Sequence, residues 1–132
     1  MPGFAIKKID EMEAVYAGSF KRARAELGIE SFGCSVLDLP PNLEQYPEHD
    51  HANDGQEEIY IALSGSGEIE IEGERHLIDP ETMVMVGPGV KRKVWTGDEP
   101  MRLLAIGGIP GKPYEAPENS KLGAPDPLAQ QN

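Results

Sequence analysis

The sequence predicts an all-β fold, a sandwich or a barrel. Between Ser31 and Ile106, seven short apolar or alternating runs follow one another. Turn signals built on Gly, Pro and Asp separate them about every eight to twelve residues, the pattern of stacked or closed antiparallel sheets. Within them, EIEIE at 68–72 alternates strictly, with Ile69 and Ile71 set inward and the glutamates outward. Glu72-Gly73 then supplies a two-residue hairpin turn, because glycine accepts a positive φ.

The elements follow in order. Phe4, Ala5 and Ile6 read as a short strand, and Asp10 as the cap of a helical turn over Glu11 to Tyr16. FKRARAELG, from Phe20 to Gly28, favours helix by propensity with Gly28 as its stop, although its alternation also suits a strand. Lys21, Arg22 and Arg24 read as a solvated basic face rather than an anion site. SFGCSVLDL at 31–39 places Phe32, Cys34 and Val36 on one strand face, so Cys34 reads as a small buried apolar residue. Pro40-Pro41 ends that strand. The remaining strands are EIYIAL (58–63), EIEIE, RHLI (75–78), TMVMV (82–86), KRKVW (91–95) and MRLLAI (101–106). Met83 and Met85 read as core filling and His76 as a surface residue. After Gly108 five prolines interrupt a polar stretch without apolar periodicity, an extended tail over 109–132. The expected organisation is an N-terminal segment (1–30), a barrel (31–108) and this proline-rich tail.

Bulk composition narrows the partners. The chain has 132 residues, enough for one core, and carries 23 acidic against 12 basic residues for a net charge of −11. That excess argues against nucleic acid and against an anionic membrane surface, since both need a basic footprint. The single cysteine excludes an intrachain disulfide, and no run approaches the roughly 20 apolar residues of a membrane span. A cytoplasmic protein is expected.

Chemistry concentrates in HDHANDGQEEIYIALSG at 49–65. His49 and His51 stand two apart, so on an extended strand both imidazoles project to one side. Glu58 opens the next strand. Two imidazoles and a carboxylate converging from adjacent strands are a ligand set for a divalent metal such as Zn, Fe, Mn or Ni. Gln56 is a further candidate ligand through its carbonyl oxygen. Tyr60 and Ala62 share the face of Glu58 and would line a cavity; Trp95 would cover it, or sit as an ordinary core tryptophan.

These residues resemble the first motif of the cupin superfamily: His-x-His, a short loop, Glu, six residues, Gly. His49, His51, Glu58 and Gly65 match it, with six residues in the loop between His51 and Glu58 where the family has three or four. The resemblance covers residues 31–108 and implies a double-stranded β-helix, or jelly-roll barrel, and a homodimer built through edge strands and N-terminal segments. It implies a small-molecule ligand in the barrel. The family's activities include metal-dependent dioxygenases, isomerases and decarboxylases, beside non-catalytic binders. Against the second motif the chain departs. Gly89 fits the central glycine, Leu43 stands where the first motif opens on glycine, and Arg92 falls at the third histidine ligand.

Arg92 leaves two alternatives. A guanidinium offers donors and no lone pair, so it cannot ligate a cation. Either Arg92 pairs with Glu58, or anchors an anionic ligand, in a metal-free binding module. Or His49, His51 and Glu58 hold a metal with Arg92 turned away or gripping an anionic ligand beside it.

Overall fold

The computed structural model describes residues 3–127; positions 1–2 and 128–132, the outer ends of the expected N-terminal segment and tail, lie outside the described residues. The chain forms β1 (Ala14–Val15), β2 (Phe20–Lys21), α1 (Ala23–Leu27), β3 (Gly33–Leu39), β4 (Glu57–Ser64), β5 (Gly67–Ile71), β6 (Glu74–Ile78), β7 (Met83–Val86), β8 (Arg92–Thr96) and β9 (Met101–Gly108). All seven strands expected between Ser31 and Ile106 are present, as β3 to β9. They build a six-stranded sheet in the order β1-β2-β3-β9-β4-β7 and a three-stranded sheet in the order β6-β5-β8. Every pairing is antiparallel. The two sheets face each other as a jelly-roll barrel.

Alternation decides which residues enter the barrel. Leu37, Leu39, Tyr60, Ala62, Ile69, Val94 and Leu103 point between the sheets and form the main core. Each large side chain removed from water there stabilises the fold by about 1.5–3 kcal/mol. The alternate residues of β3 serve a second, smaller core: Val36 and Cys34 pack against Met12, Ala23 and Leu27 on the outside of the large sheet. Cys34 is half-buried rather than fully buried, and burial pushes its thiol up. Gly65 takes φ 73° in the turn between β4 and β5, and a Cβ there would run into the carbonyl of Pro100. Only glycine fits both demands.

The N-terminal expectations change. A 3₁₀ turn covers Ile9–Glu11, and Ala14–Val15 is strand rather than helix, because Tyr16, Ala17 and Gly18 all take positive φ in a tight reversal into β2. Phe20–Lys21 joins the sheet and only Ala23–Leu27 is helical, ending at Gly28 with φ 73°. Phe4 and Ile6 form no strand and stand 73% and 86% exposed. Met83 and Met85 are not core. Across β4 and β7, Tyr60 and Glu58 pair with Val84 and Val86, which turns the valines inward and the methionines to the outer face, where they are 66% and 65% exposed. His76 lies on the surface as expected.

The basic segment is not a solvated face. Arg22 is 1% exposed; its Nε donates to the Asn119 carbonyl at 2.9 Å, its Nη2 to the Ala124 carbonyl at 2.8 Å, and its Nη1 pairs with the Glu13 carboxylate. Glu13 in turn accepts the Gly123 N–H at 2.8 Å, and the Tyr16 N–H reaches Asp126 at 3.0 Å. Lys21 pairs with Asp38 at 3.2 Å, and Asp38 also accepts from Arg102, its cross-strand neighbour. The proline-rich segment therefore lies along the barrel, pinned by a buried guanidinium. Replacing one member of such a buried charged network removes its partners' compensation. Arg22→Ala is expected to lower unfolding free energy by about 3 kcal/mol, measured by urea denaturation; an unchanged midpoint would show that the pin does not hold the fold.

Candidate metal centre

The His-x-His stretch is placed by its backbone. His49 N–H donates to the Arg92 carbonyl at 3.0 Å, and Arg92 N–H returns the bond at 2.9 Å, a β-bridge that seats His49 beside β8. His51 N–H donates to the Pro88 carbonyl at 2.6 Å. Opposite them, Glu58 faces inward from β4, in register with Gly107 of β9, which is itself in register with Gly33 of β3. The two ends of the motif thus arrive from the two faces of the barrel.

There, His49, His51 and Glu58 each offer one ligand atom, all within 4.8 Å of one another. His51 Nε2 is 3.0 Å and His49 Nε2 is 3.9 Å from Glu58 Oε1. Both rings are held from behind. His51 Nδ1 is 3.1 Å from each oxygen of Asp54, and His49 Nδ1 is 3.2 Å from the Pro47 carbonyl. Carboxylate and carbonyl oxygens only accept, so in the neutral rings the proton sits on Nδ1 and each Nε2 presents a lone pair. The lone pairs turn toward Glu58. His51 Nε2 is buried and, although 3.0 Å from Glu58 Oε1, makes no hydrogen bond among the described residues. Ligand atoms gathered this closely suit a shared central ion. Bonds of about 2.1 Å to N and O ligands put neighbouring ligand atoms roughly 3.0–3.4 Å apart, a spacing that His51 meets and His49 reaches with a small rotation.

Where His51 carries a second proton, its contact with Glu58 becomes an ion pair. Burial pushes the Glu58 carboxyl up, but the adjoining His49 and His51 imidazoles and the Tyr60 hydroxyl outweigh it and hold it well below the usual carboxylate range. The Glu58 carboxylate raises His51 above its ordinary value. Burial raises the Tyr60 phenol far enough that it stays protonated and donates to Glu58 Oε1 at 2.7 Å.

Arg92 points into the barrel and is 0% exposed. Its Nη1 lies 3.2 Å from Glu58 Oε1 and its Nη2 donates to the Gly87 carbonyl at 2.8 Å. It stands behind Glu58 and is not among the residues lining the cavity, so direct capture of a ligand by Arg92 does not fit its position. Trp95 does not cover the cavity either. Arg92 and Val94 take the inward face of β8, which turns Trp95 outward between Arg75 and Lys93, at 4.0 and 4.2 Å from its ring. Gln56 lines the cavity, with its amide nitrogen donating to Asp54 at 3.0 Å and its carbonyl oxygen against Gly107. The cavity, of about 1110 Å³, runs from the cluster past Tyr60, Ala105 and Leu37 to Leu43 and Tyr46. Sequence reasoning missed Asp54. The six-residue loop is its signal, since the residues beyond the family length bring a carboxylate three positions after His51.

Comparison with known proteins places this geometry in a family. The cupin domain profile matches residues 35–107. No curated protein matches the chain. Among solved structures, a cupin protein from Bacteroides fragilis is 24% identical over 91% of this chain and 95% of its own, with a TM-score of 0.69. A sugar phosphate isomerase of the cupin superfamily from Silicibacter pomeroyi is 18% identical over 86% and 83%, with a TM-score of 0.64. A predicted oxalate decarboxylase from Thermotoga maritima is 23% identical over 58% and 65%, with a TM-score of 0.52. At these identities the likeness is one of fold.

The Glu58 shift sets a pH dependence. Because its folded pKa is depressed, its stabilisation is present above the unfolded value near about 4.3 and is lost as pH falls through the folded value. Glu58→Gln, which leaves Arg92 buried without a counter-charge, is expected to cost about 3 kcal/mol at pH 7. The difference from the parent protein should shrink as pH falls below about 4. Urea titrations across that range check this; a constant difference would place the cost outside the carboxylate charge.

Proposed function

For a chain that belongs to the cupin domain family, we propose that the barrel binds a small organic molecule beside a divalent metal ion held by His49, His51 and Glu58. One observation carries this reading: both histidines have Nδ1 engaged by acceptor oxygens, so both Nε2 lone pairs are free and gathered at a carboxylate. Residues that orient ligating imidazoles from behind are the usual companions of metal sites. A bound ion would supply Lewis-acid polarisation of a ligand oxygen. The chain's own residues hold and orient: Asp54 fixes His51, the backbone bridge to Arg92 fixes His49, and Tyr60 donates to Glu58.

A second reading rests on the 3.2 Å contact between Arg92 Nη1 and Glu58 Oε1. In it the guanidinium neutralises Glu58 and the barrel binds its ligand without metal. Titration with Co²⁺, followed by visible absorption, separates the two. The parent protein is expected to bind one equivalent and His49→Ala to lose at least about tenfold in affinity. Arg92→His should tighten binding by about tenfold or more. No Co²⁺ spectrum in either parent or Arg92→His protein would favour the metal-free module.

A homodimer completes the proposal. Leu63, Met83 and Met85 are 41%, 66% and 65% exposed on the outer face of β4 and β7, and β7 is an edge strand of its sheet. An apolar face ending in an open edge favours pairing with a second copy. Light scattering is expected to give twice the chain mass, and Met85→Glu to shift it to the monomer mass; a monomeric parent protein would refute the dimer.

A further inference from the structure

The wall of the cavity beside the histidine–glutamate cluster is not made by the barrel strands alone. Gly33, Gly107 and Glu58 sit side by side across β3, β9 and β4. The two glycines leave a strip of bare backbone next to the carboxylate. Tyr114, from the segment after β9, fills it at Gly33, where a Cβ would stand 2.6 Å from the Tyr114 hydroxyl oxygen, while Gln56 and Glu58 cover Gly107. Tyr114 lines the same cavity as His51, Gln56 and Glu58, and Pro117, Asn119 and Ser120 continue the wall. The segment is held by the buried Arg22, through the carbonyls of Asn119 and Ala124. Tyr114 is half-buried, with its hydroxyl against Gly33 at the cavity wall.

We infer that Tyr114 is a ligand-contacting residue and that the segment over 109–127 completes the binding chamber. In this arrangement the Tyr114 hydroxyl donates to a carboxylate or carbonyl oxygen of a small organic acid. The acid's oxygen-bearing end lies at His49, His51 and Glu58, and its apolar body runs along Tyr60, Ala105 and Leu37. The charge supports an anionic end: Arg92 already balances Glu58, so a cation at the cluster would leave the chamber positive. The inference rests on the metal-binding reading above for the position of the anionic end.

Phenylpyruvate, a 2-oxo acid with an apolar ring, is the probe, titrated calorimetrically into the protein with and without Co²⁺. Tyr114→Phe keeps the ring and removes only the hydroxyl, so Co²⁺ affinity should stay within about twofold while probe affinity falls about tenfold, the worth of a hydrogen bond to a charged group. Gly33→Ala should weaken the probe similarly by displacing the phenol, and the double variant should lose no more than either single one, because both act through the same group. Equal probe affinity in parent and Tyr114→Phe protein would overturn the role of Tyr114. Probe binding to neither the Co²⁺-loaded nor the metal-free parent would overturn the ligand class. Binding equally tight with and without Co²⁺, but weakened by Tyr114→Phe, would uphold the chamber and refute the metal-dependent position of the ligand.

Discussion

A buried guanidinium must be paired, and in this barrel the pairing of Arg92 arranges the site. Arg92 is without solvent contact, so its charge is compensated by Glu58 and its Nη2 by the Gly87 carbonyl, while its buried Nε meets no hydrogen-bond partner among the described residues. Stripping water from an unpaired charge of this kind would cost several kcal/mol. Through its own backbone the same residue binds His49 in a two-bond bridge. One residue of β8 therefore fixes a histidine by its main chain and the facing carboxylate by its side chain.

This explains how the cluster keeps its shape without a third imidazole. In the family motif an imidazole at this position would share the ion. Here the side chain reaches past it to the carboxylate and holds Glu58 toward the two histidines. Compensating order comes from the enlarged loop: Asp54 accepts from His51 and is itself held by the Gln56 N–H at 3.1 Å and the Gln56 amide at 3.0 Å. The extra loop residues thus bring a support for the imidazole where the opposing strand has lost a ligand.

The strands were legible because glycine and proline punctuate them, and the His-x-His, Glu, Gly spacing was legible because turn and strand lengths preserve it. Facing was legible only where polarity alternates. EIEIE declares its inner face, whereas TMVMV is apolar at every position, and its phase is set by pairing with Tyr60 and Glu58, which no local pattern records. Trp95 was misplaced for a related reason: a strand that buries an arginine inverts the usual inference from polarity to exposure. Arg22 was illegible because its partners are backbone carbonyls about a hundred positions away, at Asn119 and Ala124. A basic run looks the same in sequence whether it meets water or the ends of a distant loop. Tyr114 was hidden likewise, its place marked only by Gly33 in a distant strand.

The charge balance distinguishes this site from one with three imidazoles and a glutamate. With neutral imidazoles, a carboxylate offsets half the charge of a divalent cation. Here Arg92 offsets that carboxylate, so the compensation left for a cation comes from Asp54, which stands on the far side of the His51 ring. Such a centre binds its cation more weakly, since repulsion from a buried guanidinium acts at low dielectric. By the same physics it holds an anion more strongly once the cation is present. Cation and anionic ligand then stabilise each other's binding, and this coupling must be reciprocal. The arginine that weakens the metal motif is thus the residue that would favour the organic acid proposed above.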